Sequence, residues 1–273
     1  MVYIIKANGE KEKFDKHKVY RTCFKAGADE RICNEIADYV ENKVYEGIKT
    51  KKIFELVYRK LSEYSGDFMA RYKLREAIAR LNPENNEFEK YICRILKFNG
   101  YQVEWNRIIQ GVCIEHQIDC IAVKDRKKYL VECKHHIKFH RCTDLDVVMK
   151  CWAVLEDIIN AYRKRIIDEK FDNIWVIVNT KFSEHAKKYA RAKRLKLTGW
   201  NYPPGESLSS LISDKICYPI TILTNSDKII ERFTKSGILT LGDLLETRTD
   251  RLQKKLNLSQ RTIEKYKKLA ENI

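Results

Sequence analysis

Apolar and polar positions alternate in three ways along the chain, and each marks different elements. The start, "VYIIKANGEKEKF", has an apolar run, an Asn8-Gly9 turn and a second short run, the layout of a β-hairpin. Helical spacing of apolar residues then predicts helices over 16–26, 30–45, 50–64 and 67–81. Thr50 stands as the N-cap of the third, and Asn82-Pro83 closes the fourth. Phe88, Ile92, Ile95 and Leu96 form a further helical stripe that Asn99-Gly100 ends. Strand-like runs follow at 101–109, 114–123 and 129–134. A long helix is predicted from Thr143, with Asp146 at capping-box spacing, to about Ile167. "NIWVIVN" is almost wholly apolar, as in a strand covered on both faces. A basic helix "SEHAKKYARAKRLK" and a short strand at "LTGW" come next. Pro203, Pro204 and Pro219 mark loops around one short helix, and from Thr224 onward the pattern is helical in short pieces.

These elements predict an α+β to α/β chain in three parts. The parts are a small α-rich domain with a β-hairpin (1–82), a mixed sheet flanked by helices (83–223) and a small helical module (224–273). Charge sharpens the reading. Lys and Arg number 53 against 38 Asp and Glu, a net +15, with the largest excess in residues 181–273. Such a balance favours a polyanionic partner, nucleic acid before a membrane surface. No apolar run reaches membrane-spanning length, and the start lacks a signal peptide's layout. The nine cysteines are scattered without a CxxC pair, as expected of reduced thiols in the cytoplasm.

One stretch departs from the pattern. "IEHQIDCIAVKDRKKYLVECKHH" (114–136) places Asp119, Glu132 and Lys134 where core strands usually bury Val or Ile. A buried carboxylate is costly without a partner. Glu132 and Lys134, two apart in a strand, share a face, and a hairpin through "KDRKK" brings Asp119 alongside. Two carboxylates at close range repel unless a cation lies between them. Hard oxygen ligands suit Mg²⁺ or Mn²⁺, and Lys134 is placed to offset developing charge or orient water, the chemistry of phosphodiester hydrolysis. Glu115, His116, Gln117 and His136 are accessory candidates. A rival reading takes Cys133, His135, His136, His140 and Cys142 as zinc ligands, although their spacing fits no common structural zinc pattern.

"GVCIEHQIDCIAVKDRKKYLVECKHH" resembles the core of the PD-(D/E)xK nuclease superfamily, in its Mrr-like restriction-endonuclease branch. Asp119 matches the motif's Asp and "ECK" its ExK. "FEKYICRILKFNGYQV" resembles the preceding helix, where Glu89 takes the place of a metal-holding Glu. Residues 2–80 resemble an ATP-cone, a regulatory nucleotide-binding domain, through "KANG", Glu12, "FDKHKV" and "MARYKLREAI". That resemblance implies Lys6 and Lys18 at phosphates, with Glu12, Phe14 and Thr50 near base or ribose. Ala7 stands where the family usually has Arg, which removes one phosphate-facing donor. The 236–273 stretch looks like a degenerate helix-hairpin-helix module, with Asn257 in place of its second glycine. The joint architecture also resembles a prokaryotic family. Together the resemblances imply a cytoplasmic, Mg²⁺-dependent DNA endonuclease regulated by ATP or dATP and acting as a homo-oligomer. The alternative of another class is a nucleotide-sensing DNA-binding regulator with an inert core.

Overall fold

The structure is a computed structural model that describes residues 2–138 and 141–273, the side chains of residues 66, 67, 69–71 and 215 aside. The chain divides into two compact units. One comprises the residues up to Glu76 with Arg261–Ile273, the other Ala77–Gln260.

In the first unit the Asn8-Gly9 turn joins β1 (Tyr3–Ile5) to β2 (Lys11–Lys13), paired antiparallel with Ile4 opposite Glu12. Gly9 takes φ 87, which glycine adopts without a Cβ penalty. α1 (Lys16–Lys25) is capped by Asp15, which accepts from His17 N at 2.9 Å, and α2 (Glu30–Glu41) by Asp29, which accepts from Ile32 N at 2.8 Å. The second helix ends four residues before the expected Tyr45. The chain turns there to form β3 (Ile48–Lys49), a strand that the pattern did not suggest. β3 pairs parallel with β1, Ile5 beside Lys49. α3 (Thr50–Tyr64) matches its expected span, but Thr50 is its first helical residue; Lys49 holds the cap position and no side chain caps the helix. α4 (Gly66–Ala79) follows. Val19, Cys23, Ile36, Val40, Val57 and Leu61 form this unit's core.

The second unit is built on a five-stranded sheet of order β10-β8-β6-β5-β4. After a 3-10 turn at Pro83–Asn85 comes α5 (Glu87–Phe98), amphipathic, with Phe88, Ile92, Ile95 and Leu96 buried as the stripe requires. β4 (Gln102–Gln110), β5 (Glu115–Lys124) and β6 (Lys127–Lys134) form an antiparallel meander. β7 (Cys142–Thr143) precedes α6 (Leu145–Arg163). The expected Thr143–Asp146 capping box is not formed: Asp144 holds the cap position without a side-chain bond, and the Thr143 hydroxyl bonds His136 instead. β8 (Asn173–Val178) is buried from Ile174 to Val178 and runs parallel to central β6. β9 (Lys181–Phe182) pairs with β7 in a separate small sheet. α7 (Glu184–Lys193), capped by Ser183, leads to β10 (Lys196–Thr198), parallel to β8. Ile118, Ile121, Leu130, Val148, Leu155, Ile158, Ile174 and Val176 pack as the core between sheet and helices.

The short α8 (Leu208–Leu211) lies between proline loops. α9 (Asp227–Lys235), α10 (Leu241–Glu246), α11 (Thr249–Leu256) and α12 (Gln260–Glu271) complete the chain. Gly237 after α9 has φ 79 and Asn257 after α11 has φ 49, so both hairpin positions are left-handed, one without glycine. Among the described residues no helix is long and apolar enough to cross a membrane.

Candidate active site

β6 is the central strand, and its C-terminal half carries Glu132 and Lys134. Leu130, Val131 and Cys133 are buried, whereas Glu132 and Lys134 are half-buried on one face. Lys134 Nζ lies 2.7 Å from Glu132 Oε1, with the two side chains 36% and 19% exposed. β5 supplies Asp119 between buried Ile118 and Cys120. The β5–β6 ladder has Cys120 opposite Val131 at this end, and beyond it the Asp119 side chain takes over, Oδ2 accepting from Cys133 N at 2.8 Å. In β4, Asn106 adopts φ 55 between the Trp105–Cys120 and Arg107–Ile118 pairs, leaving the position beside Asp119 outside the regular ladder.

The electrostatics record the crowding. Burial first, and then the charge of Glu132, push the Asp119 carboxyl up to about 6; Glu89 adds to this, and the Cys133 N–H and Lys134 oppose it. Burial raises Glu89 as well, with Glu132 adding and Lys134 opposing. Among the described residues the Glu89 Oε2 atom, which is buried, has no hydrogen-bond partner. Burial alone would lower the Lys134 ammonium; the charge and hydrogen bond of Glu132, helped by Asp119, outweigh it and hold Lys134 above its usual value. The Lys134 ammonium therefore stays charged at neutral pH.

The chain thus brings Asp119, Glu132 and Lys134 to one end of the sheet, with Glu89 close enough for its charge to be felt. Among the described residues no three His, Cys, Asp or Glu side chains are gathered as ligands around one point. An octahedral ion that keeps several waters needs only one or two carboxylates, and the oxygen donors here are of the hard kind it takes. The donor set and the unpartnered Glu89 oxygen fit a divalent cation held chiefly by Asp119 and Glu132.

The other sequence candidates are placed elsewhere. His116 Nε2 lies 2.8 Å from Asp157 Oδ2, on α6. Gln117 donates to Asn106 Oδ1 at 2.7 Å, and Glu115 is exposed. His135 stacks on Phe88 at 5.0 Å, its Nε2 3.1 Å from the Ile78 carbonyl. Cys133 is buried and Cys142 half-buried, both as free thiols, and His140 lies outside the described residues.

A residue that sequence reasoning missed is Asn179, fully buried directly after β8. Its Oδ1 accepts from His136 N and its Nδ2 donates to His136 O, each at 2.8 Å. A side chain thereby continues the β6–β8 ladder past Lys134 and fixes how the strand leaves the site. The one available signal was an Asn closing an otherwise apolar strand.

In the first unit, Lys6 and Lys18 converge on Glu12. Lys18 Nζ pairs with Glu12 Oε1, and Lys6 Nζ lies 3.6 Å from Glu12 Oε2 and 2.8 Å from Glu10 Oε2. Hydrogen bonding from Lys18 holds the Glu12 carboxyl below its usual range. Because Ile5 lies beside Lys49 in the parallel register, the chain carries Lys6 and Thr50 forward together, Thr50 opening the uncapped helix α3. Such a helix start presents free N–H groups. Phe14 packs against the unit's core rather than standing free.

Comparison with known proteins places both parts of the chain among known families. A family model for restriction endonucleases matches residues 80–200, and one for the ATP cone domain matches residues 2–87. An uncharacterized protein of Archaeoglobus fulgidus is 33% identical over 164 residues, 59% of this chain and 88% of that protein. A crystal structure of a protein of unknown function is similar with a TM-score of 0.58 at 31% identity, covering 68% of this chain and 96% of that one.

Proposed function

Because the chain belongs to the restriction endonuclease family and carries an ATP cone domain ahead of that core, we propose that it is a metal-dependent DNA endonuclease controlled by ATP or dATP. The observation that carries the reading is the gathering of Asp119, Glu132 and the Lys134 ammonium at one end of the sheet, Lys134 Nζ 2.7 Å from Glu132 Oε1 and Asp119 Oδ2 held by Cys133 N at 2.8 Å. Three carboxylates around one ammonium leave negative charge over, which a divalent cation would balance. Mg²⁺ or Mn²⁺ held by Asp119 and Glu132, with Glu89 near, would supply Lewis-acid stabilisation of charge on the scissile phosphate.

The chain's own residues supply the rest. Glu132 Oε1 holds Lys134 Nζ in place, and the ammonium offsets negative charge that develops on the phosphate oxygens. The Cys133 N–H fixes one Asp119 oxygen, which leaves the other to turn toward the site. Asn179 anchors the strand immediately beyond Lys134. In the hydrolysis a water oxygen bonds phosphorus and gives up a proton to solvent, the bond to the leaving sugar oxygen breaks, and that oxygen takes a proton from solvent in turn.

In the ATP cone domain, Lys6 and Lys18 share Glu12 at the surface, where phosphates of ATP or dATP compete with the carboxylate for both ammoniums. Nucleotide then controls cleavage if it binds one assembly of the homo-oligomer better than another. The core reading is tested by cutting duplex DNA with and without Mg²⁺, beside Lys134→Ala. Cleavage that needs Mg²⁺ and is lost in the variant supports it. Cleavage unchanged in Lys134→Ala, or none in the wild type, favours a DNA-binding regulator with an inert core.

A further inference from the structure

The opposite end of the same sheet carries charge of the other sign. β5 and β6 are joined by the two-residue turn Asp125-Arg126, with φ 51 and 61, flanked by the pair Lys124–Lys127. A turn of this kind favours glycine at its second position, and arginine there adopts a backbone conformation that its Cβ resists. Arg194, just before β10, repeats the anomaly at the end of α7 with φ 57, where helices usually place glycine. The two arginines border one rim. Asn173 Nδ2, at the start of β8, donates to Arg194 O at 2.8 Å, and Asn173 pairs with Tyr129 of β6. Lys196 lies 3.8 Å from the Trp175 ring centre and 5.2 Å from that of Tyr129, and Lys124 and Lys127 are near enough to depress its ammonium further after burial has lowered it.

Acidic residues do not cancel this rim. Lys196 reaches the exposed Glu206 at 3.8 Å, and Asp125 sits within the turn itself. Glu169 and Asp172 are engaged instead by Lys128, Glu169 also by Arg107. Among the described residues no ion pair is formed by Lys124, Arg126, Lys127 or Arg194. Surface lysines alone would mean little. Two arginines kept where the backbone calls for glycine, on one rim, point to a use for their side chains.

We propose that Lys124, Arg126, Lys127, Arg194 and Lys196 form a second contact for duplex DNA, gripping phosphates away from the bond that is cut. It rests on the DNA reading above but not on cleavage. Lys127, the rim's residue on β6, is seven residues from Lys134, about 23 Å at ~3.3 Å per residue. Tyr129, at its floor, projects from the face opposite Glu132 and Lys134, so the rim and the carboxylates are separate surfaces.

The backbone anomaly supplies the test. Arg126→Gly with Arg194→Gly removes two charges while giving the main chain the residue it prefers, so the melting temperature should hold or rise. Binding of the full chain to duplex DNA is measured in EDTA, where hydrolysis plays no part, from 50 to 200 mM salt. Two lost phosphate contacts lower the log–log salt slope by about 2, which shrinks the affinity ratio between those salt concentrations by about tenfold. Arg165→Gly is the control: Arg165 also has a left-handed backbone (φ 59) but follows α6, where neighbouring Lys164 acts on Cys113 of the β4–β5 turn. An unchanged slope in the double variant overturns the proposal, as does an equal fall per charge in Arg165→Gly, which would mean net charge alone. A lower melting temperature would be followed by Arg126→Asn with Arg194→Asn, and a slope restored in that pair would also overturn it. A chain that binds through the rim yet never cuts DNA would leave this inference standing and remove the nuclease reading.

Discussion

Lys134 and Lys18 each hold a glutamate, and the two pairs sit in opposite surroundings. The Lys134–Glu132 pair lies at the end of a central strand between buried residues, with Asp119 and Glu89 pressed close. Lys18 and Glu12 lie at the surface of the hairpin domain, shared with Lys6 and open to water. In the first place low polarity magnifies every charge, and the carboxyls of Asp119 and Glu89 rise. In the second, water screens the pair, so a ligand can replace one partner at little cost. The same pairing is therefore proposed to serve a fixed cation site in one unit and an exchangeable anion site in the other.

The contrast breaks most sharply at Asp119. Asp119→Asn keeps the size and removes the charge, so cleavage should fall by at least about a hundredfold while the fold persists. Circular dichroism beside a single-turnover assay checks both halves. Activity near that of the wild type would remove Asp119 from the site.

Next in size is Asn179→Ala, which deletes both bonds to His136 and frees the strand beyond Lys134. Cleavage should drop about tenfold or more, because small displacements of a charged group are costly in a site of this kind. A Mg²⁺ affinity unchanged from wild type would mark the loss as one of positioning.

Stability should also depend on pH in a particular sense. The folded Asp119 carboxyl is raised from 3.8 to about 6, so the folded state holds that proton more tightly than the unfolded chain. Its contribution is full below about pH 4 and is lost as pH rises through 6. Chemical denaturation of the metal-free protein from pH 4 to 8 should show this decline, and Asp119→Asn should flatten it. A decline of equal size in the variant would assign the titration to another group.

Smallest in its effect on the fold is Lys6→Ala with Lys18→Ala. These exposed pairs should leave the melting temperature and basal cleavage unchanged, yet abolish any shift in sedimentation or rate on adding ATP or dATP. A surviving nucleotide response would place the phosphates elsewhere.

Much of the architecture could be read from local pattern. α3 begins and ends as its periodicity dictates, α5 buries its stripe, and the apolar run of β8 lies buried between its neighbours. The misses share a cause. β3 is two residues long and exists only because β1 pairs with it from 44 positions away. Thr143 looks like a helix cap until His136, two residues past the end of β6, takes its hydroxyl. At the site, the charged residues stood out because core strands rarely carry them. Asn179 did not, since its partner is the main chain of a residue 43 positions earlier.

The cation site itself is tested most directly by titrating Mg²⁺ into the metal-free protein at pH 6 by calorimetry, in two buffers of different ionisation heat. Part of the Asp119 population is protonated at that pH, so binding should release protons, and Asp119→Asn should abolish both the release and most of the affinity. Binding with the same proton release in Asp119→Asn, or no binding by the wild type, would contradict a metal held at this carboxylate.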